Sequence, residues 1–391
     1  MTSPALTVHG IPVIDIDSHY TEPADLWTSR APKKYAHLVP RVEKDSSGQE
    51  HWVVGEDVDF GPLGFTVVRA DGTKAYGTIS LASFEEMDAA ATDPIARLGL
   101  LDRMGISQQI VYPNVVGFGS NKFMQIEDVE LRNLTARLYN DAIIDFQKAG
   151  NGRLFPQAVV PYWDIDETVR ELTRIKDAGL TGITMVGGPQ RFGLPFLNEP
   201  YWDPFWSSCQ EMELPVNFHI GGDGGTEGLL WKDYGMERAL AVQSIGLFLN
   251  NFKVIINLIF SGLVERYPTL DFVSVESGIG WIPFLLEAMD YQFEETVPTD
   301  RAGMKMKPSE YFKRQIYASF WFEDFGPRAA IAEIGEDSVM FETDFPHPTC
   351  LYPKAQEHIT EVLTDLDPRI RRKVLHDTAQ RVYHLPEPPQ D

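Results

Sequence analysis

A (β/α)8 barrel of the TIM type, an α/β fold with an insertion after its first strand, is the architecture this 391-residue chain predicts. Three observations carry the prediction. Eight short β-rich runs alternate with longer helical patterns, and parallel strands need crossover helices of that kind. Several runs place polar residues at alternate positions, as strands do when one side of a covered sheet faces polar groups. Runs one and five end in Asp and His and run eight gives way to Asp344, at the strand ends where barrel enzymes hold their chemistry. A doubly wound open sheet is the rival fold, but eight tandem units suit a closed barrel better. The whole chain, 1–391, reads as a single domain.

In order, the strands fall at 12–17, 108–112, 155–161, 180–186, 215–219, 271–276, 315–319 and 338–343. Helical patterns lie at 93–104, 128–148, 166–177, 200–212, 236–266 with a break near Asn250, 279–296 and 323–334. A last helical region covers 354–382 and is interrupted near Pro368. The segment from about 22 to 87 breaks the repeat, being rich in Pro, Gly and charge. It has strand-like pieces at 51–54 and 65–70, with a turn signal at Asp71-Gly72. It reads as a β-hairpin arm or a cap over the barrel mouth.

Composition narrows the function classes. A hydrophobic content of 43% supplies a sizeable core and excludes wholesale disorder. Against 57 acidic residues stand 34 basic ones, a net charge of -23 that disfavours nucleic acid and anionic membrane surfaces. The two cysteines, Cys209 and Cys350, make no disulfide framework and fit a reducing cytoplasm. Residues 1–12 lack the pattern of a signal peptide. The longest apolar stretch, 254–264, is broken by Asn257 and Ser261 and is too short to span a bilayer. The expectation is a cytoplasmic protein acting on a small molecule. Nucleophile elbow, phosphate loop and dinucleotide fingerprint are all missing from the sequence.

The chemistry sits at strand ends. Strand one closes with Asp15-Ile16-Asp17-Ser18-His19. Alternation predicts Asp15, Asp17 and His19 on one face, with Asp15 one layer deeper in a structural role. Strand five runs Pro215-Val216-Asn217-Phe218-His219 into Gly221-Gly222-Asp223-Gly224-Gly225, whose glycines provide mobility. Strand eight gives way at Asp344-Phe345-Pro346-His347. Singly, each has an ordinary reading: Asp17 as a turn cap, His219 as a hydrogen-bonded core histidine. Together, two carboxylates and two imidazoles at strand tips can converge on one ion, held by Asp17, His19, His219 and Asp344. Mixed nitrogen and oxygen ligation suits zinc first, with manganese or iron next, rather than calcium.

Ile14-Asp15-Ile16-Asp17-Ser18-His19, Gly179-Leu180-Thr181-Gly182, Phe218-His219, Leu258-Ile259-Phe260-Ser261-Gly262 with Glu265-Arg266-Tyr267-Pro268, Val275-Glu276-Ser277-Gly278-Ile279-Gly280-Trp281, and Thr343-Asp344-Phe345-Pro346-His347 occur in that order. From about residue 12 to 384 this pattern resembles the amidohydrolase superfamily. The branch it resembles is the one typified by aminocarboxymuconate-semialdehyde and γ-resorcylate decarboxylases. The resemblance implies a mononuclear enzyme, often of zinc or manganese, with ligands at Asp17, His19, His219 and Asp344. Two positions depart from the pattern. Asp17 stands where His or Glu is common, and Glu276 stands where the decarboxylases have a histidine beside the metal.

The leading expectation is therefore a metal-dependent hydrolase that activates water to cleave a C–N, ester or C–C bond of an aromatic or unsaturated carbonyl compound. Glu276, Asp344 and His347 are its candidate proton carriers. The alternative is non-oxidative decarboxylation of an aromatic or unsaturated acid, which needs Glu276 protonated through burial or negative neighbours. A barrel without catalysis, serving as a binding protein, is the reading of another class; a stoichiometric metal would tell them apart. Tyr112, Asn114, Phe118, Trp281, Trp321 and Phe322, near strand tips, suggest a flat or apolar substrate, with roughly half of them packing only. Arg69 and Lys74 are available to a substrate carboxylate or a partner subunit, and the resemblance implies a homodimer.

Overall fold

Short β-branched runs and capped helices alternate along the chain, and a computed structural model describes residues 8–56, 58–222 and 230–388. Its strands are β1 (Val13–Asp15), β2 (His19–Tyr20), β3 (Arg41–Lys44), β4 (Glu50–Val54), β5 (Val58–Pro62), β6 (Ile106–Pro113), β7 (Leu154–Pro156), β8 (Ala158–Val159), β9 (Ile183–Thr184), β10 (Val216–His219), β11 (Phe272–Val275), β12 (Ile316–Phe320) and β13 (Val339–Phe341). Its helices are α1 (Pro94–Met104), α2 (Val129–Ala149), α3 (Ile165–Asp177), α4 (Asp203–Glu211), α5 (Met236–Phe248), α6 (Asn250–Phe260), α7 (Leu263–Arg266), α8 (Ile282–Glu295), α9 (Pro308–Gln315), α10 (Ile331–Ile334), α11 (Ala355–Leu363), α12 (Pro368–Arg372) and α13 (Thr378–Val382). The fold is mixed α/β with parallel sheets.

Local chemistry sets the boundaries. At α1, Asp93 accepts from Ala96 N at 2.7 Å, Pro94 takes the first position, and Gly105 closes the helix at φ 69°. Strands β8 to β13 pair in sequence order as one six-stranded parallel sheet. A second parallel sheet has the order β1-β6-β2, with β7 also paired to β6. Only Gln157 separates β7 from β8. On the other flank Ile16 N donates to Phe341 O (2.9 Å), Asp344 N to Asp17 O (2.9 Å) and His19 N to Phe345 O (2.6 Å). Strand one is thus bonded to the segment that follows β13.

The core has two parts. The larger fills the space between strands and helices, with Val13, Leu100, Phe218 and Phe341 among its residues. The smaller draws Ile14, Ile16, Ile110, Tyr112, Val273, Val275, Tyr317 and Met340 from the strands, joined by Val382 and Tyr383 near the C-terminus. Ile14 and Ile16 thus share a side with Tyr112, whose ring lies 5.3 Å from that of His219. Asp15 belongs to the opposite side, where it accepts from Gln109 Nε2 (2.7 Å) and Thr343 Oγ1 (2.6 Å). The expected common face of Asp15, Asp17 and His19 is therefore not found. Strand geometry lapses between β1 and β2, at residues 16–18, and the alternation resets there.

Other boundaries shift for identifiable reasons. The strand expected at 180–186 is ladder-paired only at Ile183–Thr184. The piece at 65–70 makes isolated bridges, Val68 to Lys74 and Arg69 to Met87, rather than a strand. Residues 41–44 and 58–62 flank β4 in a three-stranded antiparallel sheet that patterning did not mark. Helix α9 lies outside the helical patterns read from the sequence, although Pro308 takes its first position and Glu310 accepts from Lys307 N at 2.8 Å. By length and apolarity alone, Met236–Phe260 would cross a membrane. Its α6 half instead buries Val254, Ile255, Leu258 and Ile259, and Asn251 donates to Phe218 O at 2.8 Å.

Candidate metal centre

The centre is built from the ends of strands. His19 opens β2, His219 closes β10, Glu276 follows β11, and Asp344 lies just beyond β13. Glu276 (φ 53°) and Asp344 (φ 58°) take the left-handed backbone conformation, at a cost of roughly 1–3 kcal/mol each. Both turns aim a carboxylate away from the ladder and towards the two histidines.

Burial keeps both imidazoles neutral, pushing His219 down to about 4 and His19 well below its ordinary value. His19 Nδ1 donates to Pro113 O at 3.0 Å and His219 Nδ1 to Ile220 O at 2.9 Å. A carbonyl only accepts, so each neutral ring carries its proton on Nδ1 and leaves Nε2 bare. Those two bare Nε2 atoms face each other at 3.2 Å. No proton is left to bridge them.

Carboxylates surround the pair. Asp17 Oδ1 is 3.5 Å from His19 Nε2, and Asp17 Oδ2 is 3.4 Å from His219 Nε2. Asp344 Oδ1 is 3.5 Å from His19 Nε2, and Glu276 Oε2 is 3.6 Å from His219 Nε2. Both Asp17 oxygens are buried without a hydrogen-bond partner. Orphaned acceptors and opposed lone pairs are costly unless a cation joins them. Donors each about 2.1 Å from one ion stand roughly 3.0–3.5 Å apart, close to the spacing seen. The residues therefore fit a divalent metal. Asp17, His19, His219 and Glu276 make one donor set, and His19, Glu276, Asp344 and His347 a second, with all donor atoms in a set within 4.8 Å.

The electrostatics carry the same message. Burial, then the charges of Asp344 and Asp15, raises the Asp17 carboxyl well above its usual range. Glu276 rises for the same reason, through burial and then Asp344, Asp17 and Glu342. Burial acts on Asp344 too, but the His347 ring beside it holds its carboxyl below the usual range. His347 Nδ1 is 2.8 Å from Asp344 Oδ1, and its ring stacks on His19 at 3.6 Å. Thr349, which patterning did not mark, donates Oγ1–H to Asp344 Oδ2 (2.5 Å) and lies 3.3 Å from Glu276 Oε1.

Above the donors opens a cavity of about 300 Å³. Glu276, His347 and Thr349 line it on the donor side, and Phe65, Phe118, Leu247 and Phe248 form apolar walls. Lys122 also faces it, as do Gln243 and Ser244 of α5. The sequence had marked none of these three. Of the aromatic residues expected near substrate, Phe118 is in the wall, its ring 4.6 Å from that of His219.

The others lie elsewhere. Tyr112 points to Tyr383, their hydroxyls 3.2 Å apart. Asn114 Oδ1 accepts from Phe65 N at 3.1 Å and stands 3.4 Å from His347 Nε2. Trp281 donates to Ser277 O at 2.7 Å, and Trp321 packs on Phe248 and Phe322. Lys74 donates to Cys350 O at 2.6 Å. Gly221 borders the cavity, while the glycines at 224 and 225 lie outside the described residues.

Histidines and carboxylates gathered at the ends of parallel strands, under an apolar cavity, define a metal-dependent enzyme of α/β fold. The chain belongs to the Amidohydrolase family (Amidohydro_2), whose profile matches residues 14–385. It is 26% identical to a gamma-resorcylate decarboxylase of Polaromonas sp. (strain JS666 / ATCC BAA-500) over 306 residues, 74% of this chain and 86% of that one. A solved amidohydrolase from Mycobacterium avium subsp. paratuberculosis K-10 shares the fold with a TM-score of 0.74, at 20% identity, over 96% of this chain and 99% of that one. A dihydroxybenzoic acid decarboxylase from Polaromonas sp. JS666, solved with bound manganese and the inhibitor 2-nitroresorcinol, has a TM-score of 0.63, at 19% identity, over 96% and 97%. Hydrolysis was the leading expectation from sequence; the curated relative named as a decarboxylase favours the alternative instead.

Proposed function

We propose that this protein is a metal-dependent, non-oxidative decarboxylase of a small aromatic or unsaturated acid. We further infer that its two parallel sheets close into one eight-stranded barrel, with residues 22–87 as an insertion. Support for closure comes from the bonds between residues 16–19 and 341–345 and from the run of β7 into β8. The observation that carries the function is a donor cluster opening, through Glu276, into an aromatic-walled cavity large enough for one ring and its substituents. Zinc and manganese both suit the donor set.

When bound, a divalent ion polarises a carboxylate or neighbouring oxygen of the substrate. The chain's own residues do the rest. Phe65, Phe118 and Phe248 exclude water and hold the ring. Glu276, in the protonated form that burial favours, delivers its proton to the carbon that bears the carboxylate. The C–C bond then breaks, its electron pair returns to the ring, and carbon dioxide leaves. Glu276 recovers its proton from the cavity side. Hydrolysis would use the same groups with water as the reactant.

Metal-replete protein should release carbon dioxide from γ-resorcylate or a related aromatic acid, and in deuterated water place one deuterium on the vacated carbon. Oxygen from labelled water appearing in the organic product would instead select hydrolysis. Lys122 is the one lysine or arginine lining the cavity among the described residues, and it suits a substrate anion. Replacing it with methionine should raise KM roughly tenfold or more with little change in kcat, the value of a lost charged hydrogen bond. Steady-state kinetics with an unchanged KM would remove Lys122 from the binding role.

A further inference from the structure

Behind the donor cluster, away from the cavity, lies a buried arginine that the chemistry above does not use. Arg97, on α1, is fully buried. Its Nε donates to Ala90 O (2.5 Å), its Nη1 to Gln109 Oε1 (2.9 Å) and its Nη2 to His19 O (2.6 Å). Its guanidinium carbon lies 4.7 Å from the centre of the Phe345 ring. None of these partners is a carboxylate. The Asp15 and Asp88 charges favour this buried cation only through space, and three neutral direct acceptors call for a reason beyond pairing, since desolvating it costs several kcal/mol.

The reason lies in what those acceptors hold. The carbonyl of His19 belongs to a residue whose Nε2 faces the donor cluster. Phe345 directly follows Asp344, and Gln109 passes the contact on. Its Nε2 donates to Asp15 Oδ2 at 2.7 Å, and Asp15 in turn accepts from Asp17 N (3.2 Å), Thr343 N (2.8 Å) and Thr343 Oγ1 (2.6 Å). One connected set of bonds therefore fixes the backbone at Asp17, at His19 and on both sides of Asp344. Two of those stretches are the places where the chain departs from regular strand: residues 16–18, and Asp344 with its positive φ. Irregular backbone does not hold its own geometry, and a planar fork with donors in fixed directions can hold it in a way a flexible ammonium cannot.

We propose that Arg97 is a positioning residue for the metal centre: through His19, Phe345 and the Gln109–Asp15 link it sets the spacing at which Asp17, His19 and Asp344 meet the ion. This rests on the metal-enzyme reading, and it assigns Arg97 no contact with substrate. Groups that orient ligands typically change metal affinity by about 10–100-fold when lost.

The test titrates the metal-stripped full chain with manganous ion, following free manganese by electron paramagnetic resonance, and separately records the melting of the metal-free protein. Arg97→Lys should lower manganese affinity at least tenfold while the metal-free chain keeps its circular dichroism spectrum. Arg153 is the control. It bonds Ser107 O (2.8 Å), Ile106 O (2.9 Å) and Asp102 Oδ1 (2.7 Å) and touches none of the donor residues. Arg153→Lys should lower the melting temperature and leave manganese affinity within twofold of the original. A folded Arg97→Lys chain that binds manganese normally overturns the proposal, as does an equal loss of affinity in Arg153→Lys. Should Arg97→Lys not fold, Gln109→Met decides: it cuts the link to Asp15, so a tenfold loss supports the proposal and normal binding overturns it. A starting protein that binds neither manganese nor zinc would overturn the metal-enzyme reading together with it.

Discussion

Replacing His219 with alanine should empty the centre of metal and lower kcat/KM by roughly three orders of magnitude or more, the scale of losing a Lewis acid that stabilises developing charge by several kcal/mol. Metal content by mass spectrometry should fall from about one ion per chain to near none, with the circular dichroism spectrum unchanged. The argument is in the lone pairs. Ile220 O holds the His219 proton on Nδ1, so Nε2 has no donor to offer and faces the equally bare Nε2 of His19. Asp17→Asn should lose metal for a related reason but differ in one measurable way. In the metal-free chain Asp17 is a buried carboxyl beside Asp344 with neither oxygen hydrogen-bonded. Removing that charge relieves burial and repulsion together, so the metal-free Asp17→Asn protein should melt no lower than the metal-free original. A variant that keeps a full ion, or a metal-free chain sharply destabilised by Asp17→Asn, would mean that these groups are satisfied by the protein alone.

How far such a centre can be read from sequence depends on how regular the backbone is around each residue. Asp17, His19, His219 and Asp344 were marked because each sits at the tip of a β-rich run, and run ends are among the stronger signals in an α/β chain. The side on which Asp15 lies was misjudged, because alternation assumes an unbroken strand and residues 16–18 are not one. Arg97 had a visible signal. With Leu100, Leu101 and Met104 it forms the i, i+3, i+4, i+7 stripe of α1, and a charge on an apolar stripe is a buried charge in need of partners. Which partners, no spacing could say, since Gln109, His19 and Phe345 come from three other segments. Helix α5 failed differently. It has no fully buried residue, and the side bearing Leu240, Gln243, Ser244 and Leu247 lines the cavity. A helix apolar nearly all round does not reveal which side faces a ligand. Thr349 sits in a loop and Lys122 in a short 3-10 turn, Asn121–Gln125, whose positions follow from tertiary packing.

The second large effect belongs to Glu276. Glu276→Gln should lower kcat by about 10²–10⁴, the usual contribution of a positioned proton carrier, while the protein retains close to one metal ion per chain. Glutamine keeps the length, the shape and the hydrogen-bonding capacity towards Thr349, but has no proton to deliver. The geometry places this carboxyl between two roles. Its Oε2 is 3.6 Å from His219 Nε2, within the donor set, while the residue itself lines the cavity where substrate carbon must come. Metal content and kcat separate the roles. If Glu276 served only as a ligand, metal affinity and kcat would fall together, and excess metal would restore the rate. If it carries the proton, excess metal changes nothing. The direction of its shift adds a second check. Burial, then Asp344, Asp17 and Glu342, favours the protonated form, so the population able to donate declines as pH rises through the elevated value. The original enzyme should therefore lose kcat on the alkaline side, and the glutamine variant should lack that limb. Near-normal turnover in Glu276→Gln would sink the role, and His347, stacked on His19 and bordering the same cavity, would then be the next group to examine by substitution.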